Sequence, residues 1–272
     1  LLTGAVAAPL LAAAEPTRLP HKVRLCVIGL EGHPGEVLGP LPELPDVELA
    51  GLAHGDEAEA RRALRNPRLS GARLYTDYRR MLDQEKPEMV GVCNSDGHRA
   101  RAVLECVNRG MHVIAEKPLA VDMADFQAIR KAVARTKVHL SMLLPMRFQS
   151  EYLALKQVVE SGEIGEVAQM TAQKSYRYSP WPAWKASRAT YGSTMIWIGP
   201  HMVDLMRFTS GRELKQAAAF EGHVGHPEIG DAENTTTAIY RLDNGGVATL
   251  HMDFLRPSNA NSHGDDRLRL AG

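Results

Sequence analysis

Apolar and polar positions alternate in two different ways along the chain, and the pattern changes near residue 147. In the first part, short apolar runs of strand length are separated by stretches that repeat apolar residues at helical spacing. Such an alternation predicts βαβ units with right-handed crossovers, and therefore a doubly wound, Rossmann-like parallel sheet covered by helices on both faces. The strand-like runs are residues 23–29, 47–53, 88–93, 111–115 and 138–144, and the helix-like stretches are residues 57–64, 78–83, 98–109 and 123–136.

The second part predicts an α+β arrangement. Several strands follow one another with tight turns, and Asn244-Gly245 marks one turn where a positive φ is needed, so their sheet is expected to be antiparallel. The expected helices are residues 151–162 and about His201 to Ser210, and the expected strands are residues 167–178, 217–222, 235–242 and 246–254. We therefore predict an α/β chain with a Rossmann-like domain at residues 21–147 and a second domain at residues 148–272.

Residues 1–20 belong to neither pattern. They begin with an apolar, small-residue stretch without charge before Glu15, and Ala12-Ala13-Ala14 offers a cleavage pattern of the A-x-A kind. This is typical of a secretory signal peptide without its basic start, so we expect a periplasmic or otherwise exported protein, with a twin-arginine signal as one route. The stretch is too short to span a bilayer. The alternatives are a leader with no targeting role and a cytoplasmic protein.

The composition is that of an ordinary globular protein. The 272 residues include 32 basic and 32 acidic side chains, and this balance argues against nucleic-acid binding, which needs a basic excess. Hydrophobic residues make up 44% of the chain, which is enough to form a core and argues against disorder. The three cysteines, Cys26, Cys93 and Cys106, are too few and too scattered for a disulfide framework, so we expect buried thiols. The last residues alternate like an interrupted strand, from which we expect a fragment of a longer protein.

The turn after the first strand is the expected site for a dinucleotide's phosphates. It contains Gly29, Gly32 and Gly35 in a G-x-x-G-x-x-G pattern, whereas the dinucleotide-binding pattern is G-x-G-x-x-G. Glu31 stands beside the position where the backbone normally approaches a pyrophosphate, and it would place a negative charge there. The turn is therefore equally compatible with cofactor binding and with a plain glycine turn.

Other cofactor-contacting positions follow the second, third and fourth strands. His54 stands where an acidic residue usually binds the ribose, with Asp56 two residues later. Basic Arg61 and Arg62 are close in sequence, so the choice between NAD and NADP stays open. Asn94 and His98 follow the third strand, and Glu116 and Lys117 follow the fourth, so all four belong to the expected crevice.

Four segments together resemble a known family. Gly110 to Ala120 is similar to the G-x-H-V-x-x-E-K-P-L-A signature of the glucose–fructose oxidoreductase / inositol dehydrogenase / MocA family, and the other segments follow in the family's order. They are Ser141 to Phe148, Glu160 to Val167 and Ile198 to Leu205. The resemblance implies NAD or NADP as cofactor and a sugar, polyol or related cyclic alcohol as substrate. It also implies an open, mainly antiparallel C-terminal sheet that lines the substrate site and joins subunits into a homo-oligomer.

The resemblance also implies the catalytic residues. Lys117 matches the family's catalytic lysine, and His201 matches the histidine, which is suited to accept a hydroxyl proton. Trp197 stands where the family has an aspartate, and it can neither accept a proton nor orient His201. Asp204 matches a further family position that we interpret as structural.

Candidate substrate-binding residues surround these positions. Arg147, Trp184 and Arg188 join Lys117 and His201 in this set, and Lys185 is a weaker candidate. Aromatic residues concentrate nearby, where they either stack on a sugar face or fill the core: Tyr176, Tyr178, Trp181, Trp184 and Tyr191. A histidine pair also has acidic residues close by, but it lacks a third fixed ligand, so we expect no metal there. That loop contains His223, His226, Glu228 and Asp231.

The leading hypothesis is an NAD(P)-dependent oxidoreductase that transfers hydride from or to a carbohydrate-like alcohol or ketone. Two alternatives remain open at this stage. One is a family member that binds a sugar or a partner and has lost redox turnover. The other keeps the cofactor and uses transient oxidation for elimination or hydrolysis.

Overall fold

A parallel sheet organises the N-terminal half of the molecule. The computed structural model describes residues 18–67, 69–180 and 182–272. The sheet has the strand order β3-β2-β1-β4-β5-β6, with every neighbouring pair parallel, which confirms the predicted doubly wound architecture. Its strands are β1 (Val23–Ile28), β2 (Val47–Ala53), β3 (Arg73–Tyr75), β4 (Met89–Val92), β5 (His112–Ala115) and β6 (Leu140–Met142).

Helices connect these strands and cover the sheet. Three of them begin where the sequence supplies an aspartate cap, because the carboxylates of Asp56, Asp77 and Asp122 accept backbone N–H groups of the first turn. The remaining expected helix, predicted at residues 98–109, starts earlier than predicted, at Asp96 rather than His98. The helices are α1 (Gly35–Leu38), α2 (Glu57–Ala63), α3 (Tyr78–Glu85), α4 (Asp96–Asn108) and α5 (Met123–Arg135).

The C-terminal half forms a five-stranded mixed sheet in the order β11-β7-β10-β9-β8. Strands β7 and β10 pair in parallel and the other pairs are antiparallel, which confirms a mainly antiparallel sheet. The turn between β9 and β10 contains Gly245 with a φ of 88°. The elements are α6 (Ser150–Glu160), β7 (Gln169–Arg177), α7 (Arg188–Tyr191), α8 (Thr194–Ser210), β8 (Leu214–Gly222), β9 (Thr235–Leu242), β10 (Val247–Arg256) and β11 (Gly264–Ala271).

Helix α8 corrects one prediction. It begins at Thr194, so His201 lies in its interior and not at its N-terminus. The helix starts early because the Ser193 side chain accepts the Ile196 N–H, and it continues through Pro200. Helix α8 has 17 residues, and no helix in the part of the chain that the structure describes is long and apolar enough to cross a membrane.

The core consists of layers on both faces of the parallel sheet and a separate layer between α8 and the C-terminal sheet. Met202, Leu205 and Met206 of α8 belong to this second layer. All three cysteines are buried and free, as expected. Burial raises the pKa of each thiol to about 12, so these side chains behave as small hydrophobic groups.

Candidate functional site

A crevice between the two sheets brings together residues from both halves of the chain. The carboxyl ends of β1, β5 and β6 form one wall through His33, Glu116 and Leu143, at the edge where ligands bind in doubly wound sheets. Helix α8 and strand β7 supply the other wall through His201 and Lys174. The cavity between them has a volume of about 240 Å³, and Glu116 and His33 reach it from the Rossmann side. Residues that are distant in sequence, the catalytic candidate His201 among them, therefore share one cavity.

Glu116 connects the glycine turn to the lysine that follows it. One of its oxygens accepts the Lys117 backbone N–H at 3.0 Å, and the other accepts the His33 backbone N–H at 3.2 Å. The His33 ring nitrogen Nδ1 lies 3.1 Å from the same second oxygen. Burial opposes ionisation of Glu116, but the His33 hydrogen bond and the Lys117 charge outweigh it and hold the pKa of Glu116 below its usual value.

Lys117 lies beneath the crevice surface. Its side chain is 1% exposed, and its ammonium nitrogen lies 3.6 Å from the centroid of the Trp197 ring and 3.9 Å from a Glu116 carboxylate oxygen. Burial lowers the pKa of Lys117 to about 7, although Glu116 and Asp96 act in the opposite direction. Near neutral pH the charged and neutral forms of Lys117 are therefore comparably populated. The Trp197 ring covers this amino group, which the family resemblance assigns to the substrate.

Trp197 contacts a second cation. The Lys185 ammonium nitrogen also lies 3.6 Å from the Trp197 ring centroid, and burial lowers the pKa of Lys185 to about 8. An indole ring attracts cations through its electron-rich face and carries no charge of its own. Trp197 therefore contacts two lysines without neutralising the charge of either. An aspartate at this position would supply a negative charge.

A buried ion pair that sequence reasoning missed lies close to these lysines. Asp96 and Arg99, both at the start of α4, are almost fully buried and approach to 2.8 Å. Arg99 also donates to the backbone carbonyls of Pro118 and Asn94, which fixes the loops after β4 and β5. Burial raises the pKa of Asp96 to about 6, against the attraction of Arg99 and Lys117. The only signal in the sequence was an acid and a base three residues apart at a helix start.

His201 projects from the interior of α8 into the crevice. Its Nδ1 atom is buried without a hydrogen-bond partner among the described residues. Burial, with the nearby charges of Lys117 and Lys174, lowers the pKa of His201 to about 3. The imidazole is therefore neutral at physiological pH, with a lone pair free to accept a proton but a strongly acidic conjugate acid.

The second sheet contributes a charged pair that sequence reasoning also missed. Lys174 of β7 is buried, and its ammonium nitrogen lies 2.7 Å from an Asp266 carboxylate oxygen on β11. The Tyr176 ring beside them stacks on His263 with centroids 4.8 Å apart. A signal existed in the sequence, because Lys174 falls in the same alternating register as the buried Met170 and Ala172.

Four N–H groups of the glycine turn are already hydrogen-bonded within the protein. Gly29 donates to Ala53 at 2.8 Å, and Gly32 donates to Cys93 at 2.9 Å. The Leu30 N–H donates to a Glu31 carboxylate oxygen at 2.8 Å, and Glu116 accepts the His33 N–H. A pyrophosphate binds such N–H groups, and the Leu30 N–H is the one that Glu31 holds here.

The close approach at Gly29 explains one glycine of the turn. Its φ is 80°, and a Cβ atom there would lie 2.4 Å from the Asn94 Cα atom. Asn94 is therefore at the predicted crevice, next to the turn. Gly32 is close to Glu116, whereas nothing lies within 4 Å of a Cβ built at Gly35.

His54 occupies the end of β2, as predicted, but acidic side chains surround it. Its Nε2 atom lies 3.0 Å from a Glu59 oxygen, and its Nδ1 atom lies 3.8 Å from a Glu31 oxygen. Asp56 is engaged as the cap of α2, and Arg61 pairs with Glu57. A larger cavity of about 650 Å³ opens beyond His54. It lies at the ends of β2 and β3, away from the catalytic candidates.

Several predicted contact residues have other partners in the structure. Arg147 forms a two-pronged ion pair with Asp204, which fits the structural role expected of Asp204. Arg188 binds Asp231, Glu221 and Glu233, and His98 lies 3.0 Å from the Ser95 hydroxyl. The aromatic residues pack mainly on one another: Trp184 and Trp197 on Tyr191, and Tyr178 on His226. Trp181 lies outside the described residues.

The histidine pair of the C-terminal loop is engaged locally. His226 pairs with Glu228 at 2.9 Å, and the His223 ring lies 3.1 Å from the His226 carbonyl oxygen. In the described ranges, no three His, Cys, Asp or Glu side chains are grouped so that they could hold a metal ion.

Comparisons with known proteins agree with this geometry. Residues 23–143 match the model of an oxidoreductase family with an NAD-binding Rossmann fold, and residues 152–272 match the GFO/IDH/MocA C-terminal domain. The N-terminal match confirms NAD or NADP as the expected cofactor class. A structural neighbour, GenD2 from gentamicin A biosynthesis in complex with NAD, has a TM-score of 0.85 at 18% identity and covers 96% of this chain and 73% of its own.

Curated relatives point to the same family. Myo-inositol 2-dehydrogenase of Thermotoga maritima is 26% identical over 222 residues, which are 81% of this chain and 64% of the relative. Inositol 2-dehydrogenase of Salmonella typhimurium is 29% identical over 150 residues, which are 55% of this chain and 43% of the relative. The chain thus spans less than two thirds of the length of these relatives. Both halves of the chain match the same family in the expected order, and the chain belongs to the Gfo/Idh/MocA family of oxidoreductases.

Proposed function

We propose that this chain is the main part of an NAD(P)-dependent oxidoreductase that acts on a polyol or sugar-like cyclic alcohol. The observation that carries the proposal is the crevice itself, where Glu116 and His201 line one cavity at the carboxyl ends of the parallel strands and Lys117 is buried beside Glu116. The names of the inositol dehydrogenase relatives support a polyol as the substrate class. The volume of the crevice cavity, about 240 Å³, is suited to a small cyclic alcohol.

The residues of the crevice divide the work of such a reaction. His201 is neutral and can accept the hydroxyl proton, while the Lys174–Asp266 pair can hydrogen-bond the ring hydroxyls. Glu116, fixed by the His33 and Lys117 N–H groups, sets the shape of the floor. A bound nicotinamide supplies the hydride acceptor or donor. Lys117 contacts a substrate oxygen only when the Trp197 ring moves aside.

A second function is favoured by the position of Trp197. Because this ring covers Lys117 and provides no carboxylate, the crevice also suits a family member that binds a sugar without oxidising it. The two functions differ in one measurable property, which is turnover. Binding of a polyol is expected in both cases.

Turnover and bound cofactor test the proposal directly. The purified protein is denatured and the supernatant is examined for nicotinamide by absorbance and mass spectrometry. Reduction of NAD⁺ and NADP⁺ is then followed with a panel of inositols and sugars. His201→Ala is expected to lose most of its activity, whereas His223→Ala, a histidine of the exposed loop, is the matched control and keeps it. Absence of turnover in the native protein, together with polyol binding by calorimetry, would establish the non-catalytic function instead.

A homo-oligomer forms part of the proposal. The outer face of the C-terminal sheet exposes apolar side chains, and Phe220 of β8 is 86% exposed. Ile239, Val247 and Leu255 on the neighbouring strands are also exposed. Exposed apolar groups on one sheet face are typical of a surface that packs on another protein surface. The occupant we propose is the same face of a second copy.

Export completes the proposal. It is supported by the apolar stretch and the A-x-A pattern of residues 1–16, which lie outside the described residues. A fusion of this leader to a reporter that is active only outside the cytoplasm is the test. A fusion retained in the cytoplasm would refute export and leave the reaction unaffected.

A further inference from the structure

The Glu31 side chain closes the phosphate-binding turn. One carboxylate oxygen accepts the Leu30 N–H at 2.8 Å, and the same oxygen lies 3.8 Å from Nδ1 of His54. That Nδ1 atom is buried and has no hydrogen-bond partner among the described residues. Glu31 therefore bridges the end of β1 and the end of β2, the two places between which a dinucleotide's pyrophosphate and ribose lie in this fold.

A carboxylate in this position resembles the ligand that the turn is built to bind. Phosphates bind such turns because backbone N–H groups converge on a negative charge, and Glu31 presents a negative charge to one of them. Its side chain is about one third exposed, so it can turn outwards into solvent. The other bonded N–H groups, of Gly29, Gly32 and His33, have backbone carbonyls or the buried Glu116 as acceptors. Among the acceptors of these three N–H groups and of the Leu30 N–H, Glu31 is the one with an exposed side chain.

We propose that Glu31 is an intramolecular competitor of the cofactor's pyrophosphate, which must displace its carboxylate from the turn. The inference rests on the proposed function only in that the ligand is NAD(H). It follows that the native chain binds the dinucleotide weakly and that removal of the carboxylate strengthens binding. The effect is specific for ligands that carry phosphates, because a phosphate and the Glu31 carboxylate are both anions that N–H groups attract, whereas adenosine carries no charge.

Nucleotide binding to four proteins tests this inference without any catalytic turnover. The native protein, Glu31→Gly, Glu31→Gln and the control Glu43→Gln are titrated with NADH, ADP and adenosine by calorimetry. Glu43 is an exposed carboxylate later in the same connection between β1 and β2. We expect Glu31→Gly to bind NADH and ADP about tenfold more tightly, since two like charges at contact distance near a protein surface repel each other by an energy of about that order. Adenosine affinity and the Glu43→Gln variant should change by less than about twofold.

Each outcome shows whether the Glu31 carboxylate competes with the phosphates of the cofactor. Unchanged or weaker NADH binding by a folded Glu31→Gly variant, or no binding by either protein at millimolar ligand, overturns the inference. An equal gain for adenosine also overturns it, because the effect would not depend on phosphate. Glu31→Gln separates the two parts of the effect, since it removes the charge and keeps an acceptor for the Leu30 N–H. Improved NADH binding without turnover of any polyol would refute the proposed oxidation and leave the role of Glu31 intact.

Discussion

Replacing Lys117 by methionine should stabilise the protein, and by an amount that depends on pH. The lysine is 1% exposed and lies against the Trp197 ring, so its charged form is poorly solvated in the folded state. Methionine fills a similar volume and carries no charge. The substitution therefore removes the cost of burying the ammonium group or of deprotonating it, which exists as long as the lysine of the unfolded chain is protonated.

The magnitude follows from the pKa of Lys117. Burial lowers this pKa from 10.5 to about 7, and each tenfold change in proton affinity corresponds to about 1.4 kcal/mol, so the cost is about 5 kcal/mol at most. Between these pH values the unfolded lysine is protonated and the folded one is not. The unfolded state then binds more protons, and the free energy of unfolding of the native protein rises with pH across this window. Below about pH 7 the native protein bears the whole cost.

Urea denaturation of the native protein and Lys117→Met across this pH range is the assay. The difference in unfolding free energy is expected to be largest near neutral pH and to shrink steadily towards the pKa of a free lysine. Lys137→Met, which replaces an exposed lysine, is the matched control and should follow the native curve. Parallel curves for the native protein and Lys117→Met would refute the reasoning, because they would mean that Lys117 is charged equally in both states.

Three further predictions test the packing of the two halves and the outer sheet. Gly97→Ala should destabilise the protein by about 1–3 kcal/mol in urea denaturation, because the new Cβ atom would lie 2.4 Å from the Ala189 carbonyl oxygen. Gly55→Ala is its control, because a Cβ atom at Gly55 meets nothing within 4 Å. Equal losses of unfolding free energy in the two variants would contradict the steric explanation. Asp204→Ala should lower the free energy of unfolding by about 1–3 kcal/mol, because Arg147 loses its partner. Glu213→Ala, which removes the partner of the exposed Arg207, should lower it much less. A larger loss in Glu213→Ala than in Asp204→Ala would contradict this reasoning. Phe220→Asp should convert the proposed oligomer into a monomer in light scattering, and an unchanged mass would exclude this face.

The fold was largely predictable because its signals are local. Each of the five predicted parallel strands is an apolar run bounded by polar or turn residues, and each is present in the sheet. Strand β3 was missed because Arg73, Leu74 and Tyr75 are too few to show a period, and only pairing with β2 makes them a strand. The start of α8 was placed too late because the Gly199-Pro200 pair reads as a break. In the structure the Ser193 cap and burial against the second sheet outweigh that local signal.

The site was predictable only in part, because its chemistry depends on packing between distant segments. Short motifs singled out His201, which lines the crevice, and Lys117, which is buried beside the crevice residue Glu116. Nothing in their spacing indicates that Trp197 covers the lysine or that Lys174 meets Asp266, which is 92 residues away. The orientation of Glu31 is likewise a property of the folded turn.

Each residue that departs from the family pattern has its own local compensation in the structure. Trp197 replaces an expected carboxylate, and the two lysines near it have lowered pKa values, so less charge is left to neutralise. Glu31 replaces a close backbone approach, and its charge is bound by the Leu30 N–H beside His54. Each substitution therefore satisfies groups that a ligand or a carboxylate would otherwise satisfy. If a ligand displaces these internal partners, as we propose for Glu31, its affinity is a difference between two sets of contacts and should respond strongly to changes at Glu31 and Trp197.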